Sequence, residues 1–208
     1  MAEHTDSATL AKLIGTGSIN FFGLPFAGKD SQAERLADLI NGVVISGGDI
    51  LRTQASQEVK AVIADGHLAP TDEYTRLILP YFSRDDLKDK PLTLSSVGRW
   101  IGEEDKVISA LNRAHHPLKA VVYLHIDEAH IFNRLSHPES QESRGERADD
   151  IEHKLHVRIA EFHEKTRPVI DRYRELGYLI EIDANQARDD VEKQIHRALL
   201  KKLQSESS

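Results

Sequence analysis

A short apolar segment that runs into a glycine-bounded turn constrains the fold of this chain most. Residues 19–22 (Ile-Asn-Phe-Phe) predict a buried strand, and Gly23 and Gly28 bracket the turn that follows, with Lys29 directly after it. The spacing Gly-x-x-x-x-Gly-Lys is typical of a loop whose backbone N–H groups and helix N-terminus cradle a polyphosphate. Glycine allows left-handed backbone and close approach of the anion, and the lysine adds a positive charge. The segment therefore predicts a strand, a phosphate-binding turn and a helix that begins at or just after Gly28.

Strand and helix patterns alternate along the rest of the chain. Apolar or β-branched runs at 43–45, 91–94, 118–126 and 178–182 predict further strands, with helical periodicity or helix-start signals between them. This alternation implies an α/β three-layer sandwich, with a parallel sheet of about five strands covered on both faces. Ligands of such sheets lie beyond the carboxyl ends of the strands, where the turn after the first strand is expected.

The 208 residues are expected to form one domain with small attachments. Residues 1–18 are mostly polar and predict a flexible leader, residues 19–204 form the expected domain, and residues 205–208 are expected to be a tail. No apolar run approaches the roughly 18 residues that would span a bilayer. The N-terminus lacks an apolar signal core, so a cytoplasmic location is expected.

Composition excludes several kinds of partner and site. The net charge of −7 argues against a nucleic-acid or anionic-membrane partner, so any basic site must be local. The absence of cysteine excludes disulfides, zinc–thiolate sites and a thiol nucleophile. The histidine pairs His153/His156 and His115/His116 lack a third ligand at a recognisable spacing, which favours ordinary surface histidines.

Three segments together resemble the adenylate kinases: the turn at 23–31, the Ile-Ser-Gly-Gly-Asp-Ile-Leu-Arg run at 45–52, and the Arg-Ala-Asp-Asp helix start at 147–150. These enzymes are nucleoside monophosphate kinases that pass a phosphoryl group from ATP to AMP. That family places its hydroxyl two residues after the loop lysine, which puts Ser31 in register. The resemblance runs from residue 19 to about 200 and implies an acceptor-binding arm at 46–70, a short lid at 135–147, Mg²⁺ as cofactor with ATP, and a monomer.

The resemblance also implies three sets of site residues. The ATP-binding set is Gly23, Pro25, Phe26, Ala27, Gly28, Lys29, Asp30, Ser31 and Arg134, with Ser31 as the magnesium ligand. The monophosphate-binding set is Gly47, Arg52, Leu68, Ser96, Arg99 and Glu103. The catalytic set is Lys29, Arg99, Arg147 and Arg158. Such scattered cations suit phosphoryl transfer, which needs positioning and neutralisation of negative charge more than covalent help from the protein.

Several positions depart from the family's pattern. Phe26 replaces a loop glycine, and Gly47 stands where the family has a threonine near the acceptor base. Ser95 stands where an aspartate helps to hold the water shell of magnesium, and Asp30 is a candidate to compensate for that charge. Glu103 aligns with a glutamine that reads adenine. Because a carboxylate only accepts hydrogen bonds, it would suit guanine, or the amino group of adenine or cytosine.

The expected activity is magnesium-dependent transfer of the γ-phosphoryl of ATP to AMP or another nucleoside monophosphate. The alternative is a degenerate nucleotide-binding regulatory protein with weak or no transfer, which Ser95 would favour. A small-molecule kinase on the same scaffold is disfavoured by Arg52 and Arg99, which fit an acceptor that already bears phosphate.

Overall fold

The computed structural model describes residues 2–135 and 148–206. Within these residues five strands form one sheet in the order β2-β3-β1-β4-β5, and every neighbouring pair is parallel. The prediction of an α/β sandwich with a parallel sheet of about five strands is confirmed. The strands are β1 (Ser18–Gly23), β2 (Val43–Ser46), β3 (Leu92–Ser95), β4 (Leu118–His125) and β5 (Leu179–Asp183).

Helices precede, connect and follow these strands. In the described ranges they are α1 (Ala2–Ile14), α2 (Lys29–Ile40), α3 (Gly47–Gln54), α4 (Gln57–Ala64), α5 (Thr71–Ile78), α6 (Glu103–Arg113), α7 (Glu128–Leu135), α8 (Ala148–Glu161), α9 (Arg167–Glu175) and α10 (Arg188–Glu206). Short 3₁₀ turns lie at Leu79–Ser83 and Asp85–Leu87, and a π-helical turn at Phe162–Thr166 joins α8 to α9. None of the described helices is long and apolar enough to cross a membrane.

The central strand β1 is buried at all six positions, because helices cover both faces of a parallel sheet. The side chain of Asn20 on β1 is fully buried and holds the segment after β3. Its amide nitrogen donates to the Val97 carbonyl at 2.7 Å, and its amide oxygen accepts the Val97 N–H at 3.3 Å. These bonds place residues 96–99 beside the turn that follows β1.

Helix α2 follows that turn because its apolar residues share one face. Ala33, Leu36, Ala37 and Ile40 recur with helical spacing and are buried. The helix starts after Gly28 and ends at Asn41, both of which have left-handed backbone. The sheet and this helix thus fix both sides of the turn.

The N-terminal segment corrects one prediction. Residues 1–18, expected to be a flexible leader, contain α1, whose Leu10 and Ile14 are each 1% exposed. These two residues lie one helical turn apart and pack with α1 against α2 and α10. Helix α10 also continues through Glu206, two residues into the expected tail at 205–208. The lid expected at 135–147 lies outside the described residues except for Leu135.

Candidate active site

The turn after β1 has the backbone geometry that its glycines predict. A Cβ at Gly23 would lie 3.0 Å from the Leu124 carbonyl oxygen, so the end of β1 can approach β4 this closely only without a side chain. Gly28 caps the N-terminus of α2 with φ 87°, in the left-handed region that glycine favours. The Ala27 N–H donates to the Leu24 carbonyl at 3.1 Å and closes the turn. The turn therefore presents the start of α2 to the carboxyl edge of the sheet.

Phe26 occupies a backbone conformation that a glycine would adopt more easily. Its φ is 63°, which is left-handed and unfavourable for a residue with a Cβ. The guanidinium of Arg134 donates to the Phe26 carbonyl at 2.8 Å and to the Ala184 carbonyl at 2.9 Å. Arg134 therefore ties the backbone of the turn to the end of β5.

The basic side chain of Lys29 is mostly buried. Its side chain is 14% exposed. Burial lowers the pKa of Lys29 to about 8; Asp30 opposes this shift, whereas Arg158, Arg99 and Arg52 reinforce it. The three arginines come from different segments, and all lie close enough to act on one amine. This convergence of cations creates a local positive field in an acidic chain.

Asp30 and Ser95 meet in the structure. The Ser95 hydroxyl, at the end of β3, donates a hydrogen bond to Asp30 Oδ1. The other carboxylate oxygen, Oδ2, lies 4.0 Å from Lys29 Nζ, and the Asp30 side chain is 68% exposed. A carboxylate from the loop thus stands next to the position at which the family's aspartate is missing.

A cavity of about 730 Å³ lies at this edge of the sheet, a size usual for small-molecule sites. Six lysines or arginines and two carboxylates are among its lining residues. The predicted site residues on its wall are Gly23, Pro25, Phe26, Lys29, Asp30, Arg52, Leu68, Ser96, Arg99, Glu103 and Arg158. The predicted residues that do not line it are Ala27, Gly28, Ser31, Arg134 and Gly47. Arg147 lies outside the described residues.

Arg52 and Arg99 reach the cavity from different environments. Arg52 on α3 is 61% exposed and pairs with Asp49. Arg99 is more deeply placed: its Nε is buried and makes no hydrogen bond within the described part of the chain. Burial, with Arg158 second, lowers the pKa of Arg99 to about 10, which leaves it charged at neutral pH. A buried donor without a partner is the feature that an anionic ligand would satisfy.

Glu103 does more than the sequence predicted. Its side chain is fully buried, and Oε2 accepts the backbone N–H groups of Arg99 at 2.7 Å and Trp100 at 3.0 Å. The carboxylate therefore braces the loop that carries Arg99. Its second oxygen, Oε1, is buried without a hydrogen bond to the described residues. Burial raises the pKa of Glu103, and the two N–H groups and the nearby Thr71 side chain oppose the shift.

Tyr74 is a wall residue that sequence reasoning missed. Its hydroxyl accepts the Gly98 N–H at 2.9 Å, and a Cβ at Gly47 would lie 2.9 Å from the same oxygen. A tyrosine hydroxyl therefore occupies the space that a threonine side chain at 47 would need. The signal in the sequence is the combination of a glycine at 47 and a tyrosine on the buried face of α5. Only the fold brings these two residues together.

The segment after α4 contacts Glu161 at the end of α8, which is also bonded by the π-helical turn. The Leu68 N–H donates to Glu161 Oε2 at 3.1 Å, and His67 Nδ1 lies 3.2 Å from Glu161 Oε1. Lys165 also bonds Glu161, and its ammonium lies 4.5 Å from the centre of the Trp100 ring. Residues 66–68 thus form a wall of the cavity that rests on the C-terminal half of the chain.

The donors at the loop fit magnesium bound mainly by nucleotide phosphates. The described residues contain no group of three or more His, Cys, Asp or Glu that could hold a metal by themselves. Ser31 and Asp30 nevertheless carry oxygen atoms at the loop, and Mg²⁺ is commonly held by one or two such ligands plus substrate phosphates and water.

Comparisons with known proteins agree with this geometry. The adenylate kinase family model matches residues 21–178. This chain belongs to the adenylate kinase family. The adenylate kinase of Nitrobacter winogradskyi is 32% identical over 186 residues, which cover 85% of this chain and 90% of that protein. The adenylate kinase of Parasynechococcus marenigrum is 30% identical over 185 residues, or 86% and 96%. Family membership makes the chain an ATP-dependent nucleoside monophosphate kinase.

Proposed function

We propose that this chain transfers the γ-phosphoryl of ATP to AMP or another nucleoside monophosphate in the 730 Å³ cavity. The donor phosphates lie on the turn at 23–31, and the acceptor phosphate lies between Arg52 and Arg99. The observation that carries this proposal is the convergence of Arg52, Arg99 and Arg158 on the buried amine of Lys29. Such a cluster repels itself and is relieved by a ligand with several negative charges.

The side chains in the cavity divide the work of transfer. Lys29 and Arg158 neutralise the charge on the moving phosphoryl group, and Arg99 holds the acceptor phosphate in line with it. No general base is required, because the attacking phosphate oxygen is already ionised. Mg²⁺, held by ATP and the Ser31 hydroxyl, would add neutralising charge. Arg147, expected to join Arg158, stays a prediction, as do the monomeric state and the cytoplasmic location.

The acceptor base is proposed to lie near Glu103. Its Oε1 is buried and makes no hydrogen bond to the described residues, and Glu103 is among the residues that line the cavity. A carboxylate oxygen accepts hydrogen bonds only, so it selects a base edge that donates. Guanine offers two such donors, and adenine and cytosine offer one amino group each.

A coupled assay tests the proposal with ATP, Mg²⁺ and each of AMP, GMP, CMP, UMP and dTMP. Turnover is expected with at least one acceptor, and Lys29→Met is expected to reduce it by several orders of magnitude. Tight binding of ATP without turnover on any acceptor would instead support the degenerate alternative, for which the missing carboxylate at Ser95 is the favouring observation.

A further inference from the structure

We infer that Asp30 faces the divalent cation that accompanies ATP, and that Ser95 is the positioning residue that holds its carboxylate there. The inference rests on the proposed binding of ATP to the turn at 23–31. Asp30 is the second residue of α2 and lines the cavity. Its carboxylate is therefore next to the backbone N–H groups on which the phosphates would rest.

The direction of the carboxylate is the first argument. An acidic residue in the first turn of a helix is favoured by the helix dipole wherever its side chain points. Here the side chain reaches from α2 to the end of β3, where the Ser95 hydroxyl donates to Oδ1. Hydrogen bonding of one oxygen leaves Oδ2 on the side of Lys29, at 4.0 Å from its amine. The carboxylate is thus held toward the phosphate site rather than toward solvent alone.

Charge is the second argument. A carboxylate beside a polyphosphate opposes binding, since the two anions would repel each other at close range. The repulsion becomes attraction if a divalent cation lies between the two anions. Mg²⁺ suits this place, because it takes oxygen ligands and is usually bound by one or two carboxylates, substrate phosphates and water. Asp30 therefore favours nucleotide binding only when the nucleotide carries a metal.

The reach of Ser95 is the third argument. A serine hydroxyl carries no charge to attract the cation, but it can donate a hydrogen bond. Its donation to Asp30 fixes a side chain that is 68% exposed. The start of α2 thus supplies the negative charge of Asp30, and the end of β3 supplies the Ser95 hydroxyl that holds it.

Nucleotide binding measured with and without metal tests the inference. We would titrate ATP by calorimetry into wild type and Asp30→Asn, once in excess Mg²⁺ and once in EDTA. The variant is expected to bind Mg²⁺-ATP about tenfold more weakly and metal-free ATP several-fold more tightly. The opposite signs are the decisive result. A change of the same sign in both media, or no change, would overturn the inference and leave Asp30 as a helix-dipole residue.

Two further variants separate local causes. Asp38→Asn removes the same charge from an exposed position on the same helix and is expected to alter neither affinity by more than about twofold. Ser95→Ala keeps the carboxylate but frees it, so a smaller loss confined to the Mg²⁺ titration is expected. An effect of Ser95→Ala that is equal in EDTA would contradict its positioning role. If wild type binds ATP in neither medium, the proposed function fails, an outcome distinct from a result against Asp30.

Discussion

The pKa of Lys29 makes ATP binding depend on pH in a measurable way. Burial lowers this pKa to about 8, Asp30 opposes the shift, and three arginines of the cavity reinforce it. A polyphosphate seated against the amine favours its charged form and would raise the pKa again. Above pH 8 the free protein holds mostly neutral Lys29, whereas the complex holds the ammonium. ATP binding is therefore expected to take up a proton.

The size of the effect follows from the position of the pKa. At about pH 9, one unit above it, only about a tenth of the free protein carries the ammonium. Protonating the rest costs about 1.4 kcal/mol, so the Kd for ATP rises about tenfold for each pH unit above 8. At about pH 7 and below, the amine is charged in both states and the Kd is flat. Arg99, with a pKa of about 10, contributes only at higher pH.

The stability of the ATP-free protein should respond to the titration of Lys29 in the opposite direction from ATP affinity. An unfolded lysine titrates near 10.5, so between about 8 and 10.5 the unfolded chain binds more protons than the folded one. The free energy of unfolding should therefore rise with pH across this window relative to a Lys29→Met variant. Binding weakens while the free protein becomes more stable. A general loss of structure at high pH would instead weaken both.

Calorimetric titration of Mg²⁺-ATP from pH 7 to 9.5 in two buffers with different ionisation heats measures both affinity and proton uptake. Nucleotide phosphates, with a second pKa of about 6, are ionised above about pH 8, so they do not contribute where the Kd is expected to rise. Lys29→Arg retains a permanent charge and Lys29→Met has none, so both variants should give a flat Kd. A flat wild-type Kd without proton uptake would refute the lowered pKa. An equal slope in the Lys29→Met variant would assign the effect to another group.

Three further changes test the acceptor site and the fold. Glu103→Gln adds an amide donor, which matches the acceptor N1 of adenine but opposes the N1–H of guanine. The ratio of kcat/KM for AMP to kcat/KM for GMP should therefore rise about tenfold in the coupled assay. An unchanged ratio would mean that Glu103 only braces the loop. Gly47→Ala should cost about 1–3 kcal/mol in urea unfolding, and clearly less in a Tyr74→Phe background, because the clashing hydroxyl is then absent. Ile14→Ala should lower the free energy of unfolding by about 2–5 kcal/mol, because it removes a buried side chain. Lys12→Ala, at an exposed position on the same helix, should change it by about 0.5 kcal/mol or less. Equal effects would show that α1 does not pack against α2 and α10.

The sheet and the phosphate turn were predictable because their signals are local. Gly23 and Gly28 bracket the turn, and the apolar runs that became β1 and β4 are short and continuous. Helix α1 was missed for the opposite reason. Its buried stripe consists of little more than Leu10 and Ile14, and its burial depends on α10, which lies at the other end of the chain. Such packing between distant segments leaves almost no local pattern.

The candidate site also combines residues with local sequence signals and residues whose roles depend on tertiary packing. The cations Lys29, Arg52 and Arg99 were found because their spacing from neighbouring glycines and helix starts follows a family pattern. The brace formed by Glu103 was missed because one carboxylate oxygen serves two backbone N–H groups of a loop whose path the sequence does not specify. Tyr74 was missed because its contact with the space beside Gly47 exists only after α5 packs on α3.

The energetics of Lys29 weigh against a pocket that has lost the ability to bind ATP. A pKa lowered from 10.5 to about 8 means that holding this ammonium in the free protein costs about 3 kcal/mol at neutral pH. That is a substantial part of the stability of an ordinary domain, and an apolar residue of similar length would avoid it. Ser95 alone argues for lost activity, but its hydrogen bond to Asp30 keeps a carboxylate in the cavity. A pocket that had lost nucleotide binding would need neither this costly amine nor a carboxylate that opposes metal-free phosphate. The two features are useful together when the ligand is Mg²⁺-ATP, the donor that a nucleoside monophosphate kinase requires.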